Sequence, residues 1–345
     1  MRVLPQLLSL ALLSTLSGGA TSNAIAQTPS GQDDDVIRVE TDVTNLPFTA
    51  SDKQNRFITT LREADIRVLE DGVPQKLFTF QRETDRPLSI AFLIDVSVSE
   101  ERTLPQEKAA ARSFIETIIQ SSKDQAAIIP FTGSAFLEQP LTRDVLGIYR
   151  ALERVEVALP SYLGAGRPIS GIVSGPGTKA PPREGTTAIW EAIALTASQV
   201  LAQGRESRSD SQRRRAIILL TDGQDTSSRI SRSDSIKQAL LAETIIYAIG
   251  IGDSKYEGVD RDALRSVAES TGGRAFFPKK EVGLRQAFAE IEQELRTQYL
   301  IAYSSTNKRR DGTYRQMRIE ITNPELQKEQ LKLRYRPGYF AVASR

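Results

Sequence analysis

The sequence predicts an α/β fold, with a doubly wound and mostly parallel sheet that is inserted into a small β-sandwich formed by the two flanks. Two patterns indicate this. In the middle of the chain, continuous apolar runs alternate with helical patterns, and the runs cover residues 88–94, 126–131, 216–220 and 245–251. Such runs are typical of strands buried on both faces by helices. In the flanks, apolar and polar residues alternate instead, as expected for half-exposed antiparallel strands.

The helices of the central region follow from a 3.6-residue spacing of apolar side chains. Pro105 fits the first turn of a helix, and the residues after it place Ala111, Phe114, Ile115 and Ile118 on one face. Further helices are predicted over residues 187–201, 235–241, 261–270 and 282–295. The order strand, helix, strand, helix is the pattern of a doubly wound sheet.

The flanks are too small to form separate cores. The N-terminal flank predicts strands over residues 36–40, 66–69 and 76–80, with an Asp71-Gly72 hairpin turn between the last two. The C-terminal flank alternates over 317–321 and 331–335. Because neither flank buries enough surface alone, we expect residues 36–84 and 298–342 to pack as one sandwich. The α/β domain, residues 87–297, lies between them and carries an insertion loop over 159–185.

The composition excludes several classes of chemistry. The 345-residue chain has no histidine and no cysteine, which removes Ser-His-Asp and Cys-His nucleophiles, zinc sites built on those ligands, haem, iron–sulfur clusters and disulfides. The formal net charge is +2, so there is no electrostatic argument for a nucleic-acid partner or a membrane surface. The run Arg213-Arg214-Arg215 is interpreted as part of a solvated loop.

The first residues have the pattern of a secretory signal peptide. Arg2 precedes a short apolar stretch, and Ala24-Ile25-Ala26 has the form of a cleavage site. The stretch is too short to span a bilayer, and no later stretch approaches the required length. We therefore expect residues 1–26 to be removed, 27–35 to form a disordered leader, and the protein to be exported to the periplasm or secreted, without a transmembrane segment.

Oxygen-bearing side chains follow two of the predicted buried strands. Asp95-Val96-Ser97-Val98-Ser99 comes directly after the run 88–94, and Thr221-Asp222-Gly223 follows the run 216–220. A third group, Gly185-Thr186-Thr187, begins a predicted helix. In open α/β sheets, ligands bind at the carboxyl ends of the strands. Carboxylates and hydroxyls there suit a hard divalent cation.

These motifs, in this order, resemble the von Willebrand factor type A domain, with its metal-ion-dependent adhesion site. The resemblance continues through Ile249–Asp253 and Leu264–Gly273 and covers residues 87–297. A narrower resemblance, to exported bacterial proteins related to this family, covers nearly the whole mature chain. The resemblance implies a metal site made of the side chains of Asp95, Ser97, Ser99, Thr187 and Asp222, with Thr186 as the alternative threonine.

The resemblance implies a binding device and no enzyme. The two serines would bind the cation directly, Asp95 through water, and Thr187 and Asp222 directly or through water. The cation would be Mg²⁺, with Mn²⁺ or Ca²⁺ as alternatives, and an acidic side chain of a protein partner would complete its coordination. Two other functions stay open: a structural or assembly protein with a vestigial site, and a metal-dependent hydrolase.

Further polar and aromatic residues near these motifs are assigned structural roles. Asp225 and Asp253 also lie at strand ends, and we interpret them as turn residues. Trp190, the single tryptophan, is interpreted as part of the core.

Overall fold

The computed structural model describes residues 43–83, 86–158, 167–168, 186–203, 213–251 and 258–343. The predicted signal peptide, the leader, the strand at 36–40 and Asp253 lie outside the described residues. So does nearly all of the insertion loop 159–185.

A six-stranded sheet forms the centre of the α/β region. Its strands are β5 (Leu88–Asp95), β6 (Gln125–Phe131), β8 (Gln139–Thr142), β10 (Arg214–Thr221), β11 (Thr244–Gly250) and β12 (Ala275–Phe276). They lie in the order β12-β11-β10-β5-β6-β8. All neighbours pair in parallel except β8, which runs antiparallel to β6 at one edge. The four apolar runs predicted as buried strands are confirmed.

Six helices of this region connect or cover the strands. They are α1 (Leu104–Ile118), α2 (Val145–Arg154), α3 (Ile189–Leu195), α4 (Arg232–Leu241), α5 (Arg261–Ser270) and α6 (Glu281–Arg296). The helix predicted over 187–201 begins at Ile189. It consists of α3 and a π-helical continuation, Thr196–Leu201. A two-stranded piece pairs β7 (Phe136–Leu137) with β9 (Arg167–Pro168).

The period-2 geometry of the strands divides the core into two layers. On β5, Leu88, Ile90, Phe92 and Ile94 face a cluster with α1, α2 and α6. The alternate residues Ala91 and Leu93 face a second cluster with α3, α4 and α5. Because both faces are covered, every residue of β5 and β10 is buried.

The two flanks combine into a β-sandwich, as predicted. One sheet contains β1 (Val43–Ser51), β4 (Leu77–Glu83), β13 (Gln298–Ser304) and β15 (Lys332–Tyr335) in the order β15-β1-β13-β4. The other contains β2 (Ile66–Glu70), β3 (Val73–Pro74), β14 (Tyr314–Ile321) and β16 (Gly338–Phe340) in the order β16-β14-β2-β3. Each sheet therefore takes strands from both flanks. A short helix, α7 (Pro324–Lys328), follows β14.

The sandwich has its own core. Leu46, Phe48 and Ala50 of β1 alternate toward it, and the rings of Phe48 and Tyr299 stack with their centroids 5.0 Å apart. The predicted Asp-Gly turn is present, with Asp71 and Gly72 both at positive φ, 48° and 81°. This is the backbone conformation that a two-residue hairpin requires. The predicted hairpin partner is wrong, because the turn joins β2 to the short β3, whereas the strand predicted over 76–80 is β4, which pairs with β13 in the other sheet.

Five described elements of four or more residues were not predicted: β1, α2, β8, β13 and α7. In β1 the alternation of Leu46, Phe48 and Ala50 is interrupted by Pro47, which argues against a central strand. The structure accommodates Pro47 because the ladder between β1 and β15 begins only at Phe48. In α2, Gly147 lies in the first turn and weakens the helical signal.

The interpretation of Arg213-Arg214-Arg215 as a solvated loop is wrong. Each of the three residues is at most 6% exposed, and β10 begins at Arg214. Their guanidinium groups donate to main-chain carbonyls: Arg213 to Leu88, Arg214 to Leu295 at the end of α6, and Arg215 to Leu201. These arginines therefore cap helix and strand ends at the edge of the sheet opposite the predicted site. Within the described ranges, no helix has the length and apolarity that crossing a membrane requires.

Candidate metal site

The first loop of the site begins where β5 ends. Asp95 is fully buried, and both of its carboxylate oxygens accept hydrogen bonds. Oδ1 accepts the amide N–H of Ser97 at 3.0 Å, and Oδ2 accepts the hydroxyl of Thr221 at 2.6 Å. The carboxylate of Asp95 is thus aligned by its own loop and by the neighbouring strand β10.

The two serines of this loop place their hydroxyls side by side. The Oγ atoms of Ser97 and Ser99 are 2.9 Å apart. Ser97 is 7% exposed, whereas Ser99 and Val98 are exposed. The site therefore opens to solvent on the side of Ser99.

The second loop begins where β10 ends. Asp222 is 5% exposed, and its Oδ1 accepts the amide N–H of Gln224 at 2.8 Å. Gly223 has φ +85°, and a Cβ at that position would lie 3.1 Å from the carbonyl oxygen of Asp260. A glycine is therefore needed to turn the chain immediately after Asp222.

The threonine loop is bound to the second loop by hydrogen bonds of its main chain to main-chain and side-chain groups of that loop. The amide N–H of Thr187 donates to Oγ1 of Thr226 at 2.8 Å, and its carbonyl accepts the N–H groups of Thr226 and Ser227. Thr187 is 6% exposed. Asp225 completes this connection, since its Oδ1 accepts the N–H of Ile189 and the hydroxyl of Ser228. These contacts are those of the turn residue that we predicted at Asp225.

Trp190 lies in the core cluster beneath this loop and is 9% exposed. Its interpretation as a core residue therefore agrees with the structure.

Sequence reasoning missed one carboxylate at this site. Glu100, the residue directly after the first loop, is fully buried. One carboxylate oxygen from each of Asp95, Glu100 and Asp222 lies within 4.8 Å of the others. The sequence does show an acidic residue directly after the D-x-S-x-S motif. The direction of its side chain, however, cannot be predicted from the sequence of a short loop.

The electrostatics of the site are dominated by buried carboxyls. Burial, and to a smaller extent the nearby Asp222 carboxylate, raise the pKa of Asp95 to about 6, against the hydrogen bonds from Thr221 and Ser97. Burial also raises the pKa of Glu100 to about 9. Because this environment disfavours negative charge on the carboxyls, a bound cation would stabilise their ionised form.

The donor set fits a hard divalent cation. All the oxygens described are carboxylate or hydroxyl oxygens, which Mg²⁺, Mn²⁺ and Ca²⁺ prefer. Neighbouring ligands of an octahedral Mg²⁺, each at about 2.1 Å, are about 3.0 Å apart. The hydroxyls of Ser97 and Ser99 share a hydrogen bond of 2.9 Å, so the two oxygens already lie at about that separation.

Comparison with family models identifies the family to which the chain belongs. Two models of the von Willebrand factor type A domain match the chain, one over residues 178–290 and the other over residues 90–224. The protein is a von Willebrand factor type A domain protein. No curated protein gives a significant match.

Solved structures of similar fold come from animals and bacteria. The proximal thread matrix protein 1 of the mussel byssus is 18% identical, with a TM-score of 0.47, over 66% of this chain and 51% of that chain. A structure of the same mussel protein with a zinc-occupied MIDAS motif has a TM-score of 0.48, at 18% identity over 66% of this chain and 50% of that chain. A von Willebrand factor type A protein from Catenulispora acidiphila is 14% identical, with a TM-score of 0.45, over 78% of this chain and 74% of that chain. The chain thus spans about half the length of the mussel structures that it matches.

Proposed function

We propose that this protein is an exported, metal-ion-dependent protein-binding module. In it, a divalent cation held by Asp95, Ser97, Ser99, Thr187 and Asp222 recruits an acidic side chain of a protein partner. The observation that carries the proposal is the convergence of the Asp95 and Asp222 carboxylates beside two adjacent serine hydroxyls, at the carboxyl ends of neighbouring strands. Mg²⁺ is the cation that we expect first, with Mn²⁺ and Ca²⁺ as alternatives. The expectation of export rests on the N-terminal sequence.

The arrangement makes partner binding conditional on the cation. Without a cation, a partner's carboxylate would approach buried acidic groups of the same sign, and this repulsion costs free energy. With a cation, part of the coordination shell consists of neutral serine hydroxyls, so the metal retains positive charge toward solvent. The exposed Ser99 marks the side from which a partner reaches it.

We propose a binding role and not a catalytic one, because the hydroxyls and carboxylates of the site are arranged to hold an ion. The chain has no histidine to act as a general base. A metal-dependent hydrolase would have to use one of the buried carboxyls for that step.

The test is calorimetric titration of Mg²⁺, Mn²⁺ and Ca²⁺ into the purified protein, with and without acetate as a carboxylate probe. We expect binding of at least one cation, loss of binding in Asp95→Ala and Ser97→Ala, and tighter cation binding in acetate, because ligands that share one site are thermodynamically linked. Asp144→Ala is the matched control, since Asp144 is exposed and precedes α2.

Two results would contradict the proposal. Cation binding that survives in both site variants would place the ion elsewhere. Cation affinity that is the same with and without acetate would indicate that the bound ion has no position for a partner carboxylate. Hydrolysis of a generic ester or phosphate that depends on both Asp95 and the cation would favour the hydrolase.

A further inference from the structure

Arg336 has a buried guanidinium nitrogen without a hydrogen-bond partner. The residue follows β15, and its Nη2 donates a 2.7 Å hydrogen bond to the main-chain carbonyl of Asn45. Its Nε is buried and makes no hydrogen bond to any described residue. The pKa of Arg336 is lowered because burial disfavours the charged form. Buried arginines are ordinarily paired, so an arginine in this state indicates a place for an anion.

Other contacts of Arg336 compensate its charge only in part. The ring of Tyr339 has its centroid 5.7 Å from the guanidinium carbon, which stabilises the cation but supplies no acceptor for Nε. Glu243 is the nearest source of negative charge, since its carboxylate opposes the lowering of the Arg336 pKa. The two residues form no ion pair within the described ranges, and Glu243 is exposed.

Arg336 lines an inner cavity of about 60 Å³. The cavity lies where the start of β10 and β11 and the turn after α5 face β1 and β13 of the sandwich. Among its described lining residues, one is acidic, Glu243, and six are arginines: Arg86, Arg213, Arg214, Arg215, Arg334 and Arg336. Arg334 is balanced by an ion pair with the buried Glu294 at 3.2 Å. Even so, the lining carries an excess of positive charge, which favours an anion.

Gln298, the first residue of β13, leaves a second polar atom unsatisfied at this cavity. It is 3% exposed, and its Oε1 has no hydrogen-bond partner in the described part of the chain. A side-chain amide can turn either its oxygen or its NH₂ group toward a ligand. With the NH₂ group turned toward the cavity, Gln298 is a donor for an anion. Two separate segments of the chain thus contribute incompletely bonded polar groups to one cavity.

A wide cleft adjoins the inner cavity. The two spaces share Leu240, Glu243 and Arg336 in their linings, and the cleft has a volume of about 650 Å³. This is within the range of about 300–1,000 Å³ that is typical of small-molecule sites. Four of its lining residues are basic and exposed: Lys237, Lys308, Arg309 and Arg310. Their positive charge attracts anions toward Arg336.

We propose that Arg336 and Gln298 bind a tetrahedral oxyanion, a phosphate or sulfate group, in the inner cavity. One water needs about 10–15 Å³, so about 60 Å³ gives room for about four to six oxygen atoms. A tetrahedral oxyanion has four. Guanidinium groups also match the geometry of phosphate oxygens. Where the group belongs to an ester, the wide cleft accommodates the rest of the molecule.

This anion site is separate from the metal site. β10 begins at Arg214, beside the inner cavity, and ends at Thr221, beside Asp222 of the metal site. The anion also contacts both the α/β region and the sandwich, so its binding is expected to stabilise the folded protein.

The first experiment compares phosphate, sulfate and chloride at one ionic strength. The melting temperature and the calorimetric affinity of the full-length protein are measured in a chelator, so that no metal ion can bind the phosphate. We expect phosphate and sulfate to raise the melting temperature above its value in chloride, and phosphate to bind at one site per chain. If both anions act as chloride does, the proposal is overturned.

Arg336→Gln tests the assigned residue. We expect this change to weaken phosphate binding at least tenfold, because it removes a charged donor. Arg150→Gln is the matched control, since Arg150 is exposed on α2 and lies outside both linings. Equal phosphate affinity in Arg336→Gln and Arg150→Gln would place the anion elsewhere and overturn the proposal.

A second variant does not depend on the folding of Arg336→Gln. Glu243→Gln changes an exposed residue and removes the one acidic group among the described lining residues of both spaces. We expect phosphate to bind severalfold more tightly to it, because a repulsive charge is lost. Unchanged or weaker phosphate binding in Glu243→Gln would contradict the assigned cavity.

The source of the oxyanion is distinguished with phenyl phosphate, using phenol as the control. Tighter binding of phenyl phosphate than of inorganic phosphate, without binding of phenol, assigns the ligand to the phosphate esters, whose remainder lies in the cleft. Equal or weaker binding of phenyl phosphate assigns the site to the free oxyanion. Binding of phenol as tight as that of phenyl phosphate would show that the anionic group is not what the protein recognises.

Discussion

The hydroxyl of Thr221 donates a 2.6 Å hydrogen bond to Oδ2 of Asp95 and so joins the ends of two neighbouring parallel strands. The register pairs Leu220 with Ile94. The residues that follow this pair, Thr221 and Asp95, are the two that the hydrogen bond joins. Thr221 is fully buried, and its Oγ1 also accepts the N–H of Gly223 at 3.2 Å. One hydroxyl therefore sets the position of the first loop relative to the second.

Replacing Thr221 by valine tests this connection. The change keeps the side-chain shape but removes the donor, so a buried carboxylate oxygen loses its partner, at a cost of about 1–3 kcal/mol. We expect Thr221→Val to lower the free energy of unfolding by that amount in chelator, measured by urea denaturation. We also expect cation affinity to fall, because Asp95 is no longer aligned.

The control for that variant is Thr244→Val. Thr244 is also buried, but it begins β11 at the other end of the sheet, and its hydroxyl donates only a 3.3 Å bond to the carbonyl of Ala242. Its cation affinity should equal that of the wild type. Unchanged cation affinity in Thr221→Val would show that the hydroxyl is not needed to align Asp95.

Stability should depend on pH in an unusual direction because of Glu100 and Glu107. Burial raises the pKa of Glu107 to about 7 and that of Glu100 to about 9, above an ordinary value of 4.5. Below about pH 4.5 both states of the protein hold these protons. At higher pH the unfolded chain releases them while the folded chain retains them, so the free energy of unfolding falls as pH rises toward about 9.

The composition makes this effect measurable, since the chain has no histidine or cysteine to titrate in the same range. We expect the metal-free protein to be less stable at pH 8 than at pH 5.5 in urea denaturation, and Ca²⁺ to reduce the difference. The double variant Glu100→Gln, Glu107→Gln should flatten the profile. It should not abolish the slope, because burial also raises the pKa of Asp95 to about 6 and raises the pKa of Glu294. Equal slopes in the double variant and in Glu101→Gln, which changes the exposed neighbouring acid, would assign the effect to other groups.

The sequence was sufficient to predict features that depend on local period and spacing, and insufficient for those that depend on side-chain direction. The buried strands are continuous apolar runs, and two of them end in Asp95 and Thr221, so both the sheet and its functional edge were predictable. Arg213 and Glu100 were not, because charged residues are ordinarily exposed. Each is buried for a reason that only the tertiary structure supplies: carbonyls at the sheet edge for Arg213, and the acidic cluster for Glu100.

The joining of the two flanks was predictable from their size, but the contact that connects them inside the sandwich was not. Glu70 of β2 is 2% exposed, and its carboxylate accepts the hydroxyls of Tyr303 at 2.8 Å and Tyr339 at 2.9 Å and that of Ser305. Arg315 approaches the same carboxylate at 3.5 Å. One residue of the N-terminal flank is therefore bonded to four residues of the C-terminal flank.

Removing Glu70 should uncouple the flanks. We expect Glu70→Ala to cost about 3–5 kcal/mol, because it leaves the buried Arg315 and two tyrosine hydroxyls without this acceptor. Glu320→Ala is the control, since Glu320 lies on the neighbouring strand but forms a surface ion pair with Arg67, worth about 0–1 kcal/mol. Urea denaturation measures both. A loss in Glu70→Ala no larger than in Glu320→Ala would indicate that the flanks are held together by the apolar core alone.

Gly273 lies near the start of β11, at the end of the sheet opposite the metal site. Replacing it tests whether a local destabilisation there leaves the metal site intact. A Cβ on Gly273 would lie 1.9 Å from the main-chain oxygen of Ile246, near the start of β11. Because main-chain atoms of a central strand cannot move aside cheaply, we expect Gly273→Ala to cost about 3 kcal/mol or more. Gly258→Ala is the control, since a Cβ on Gly258 meets no atom within 4 Å. Calorimetry on the fraction of Gly273→Ala that remains folded should still give wild-type cation affinity, because the loops after β5 and β10 are built at the other ends of the strands. A matching loss of cation affinity and stability would instead mean that the metal site and the far edge of the sheet form one cooperative unit.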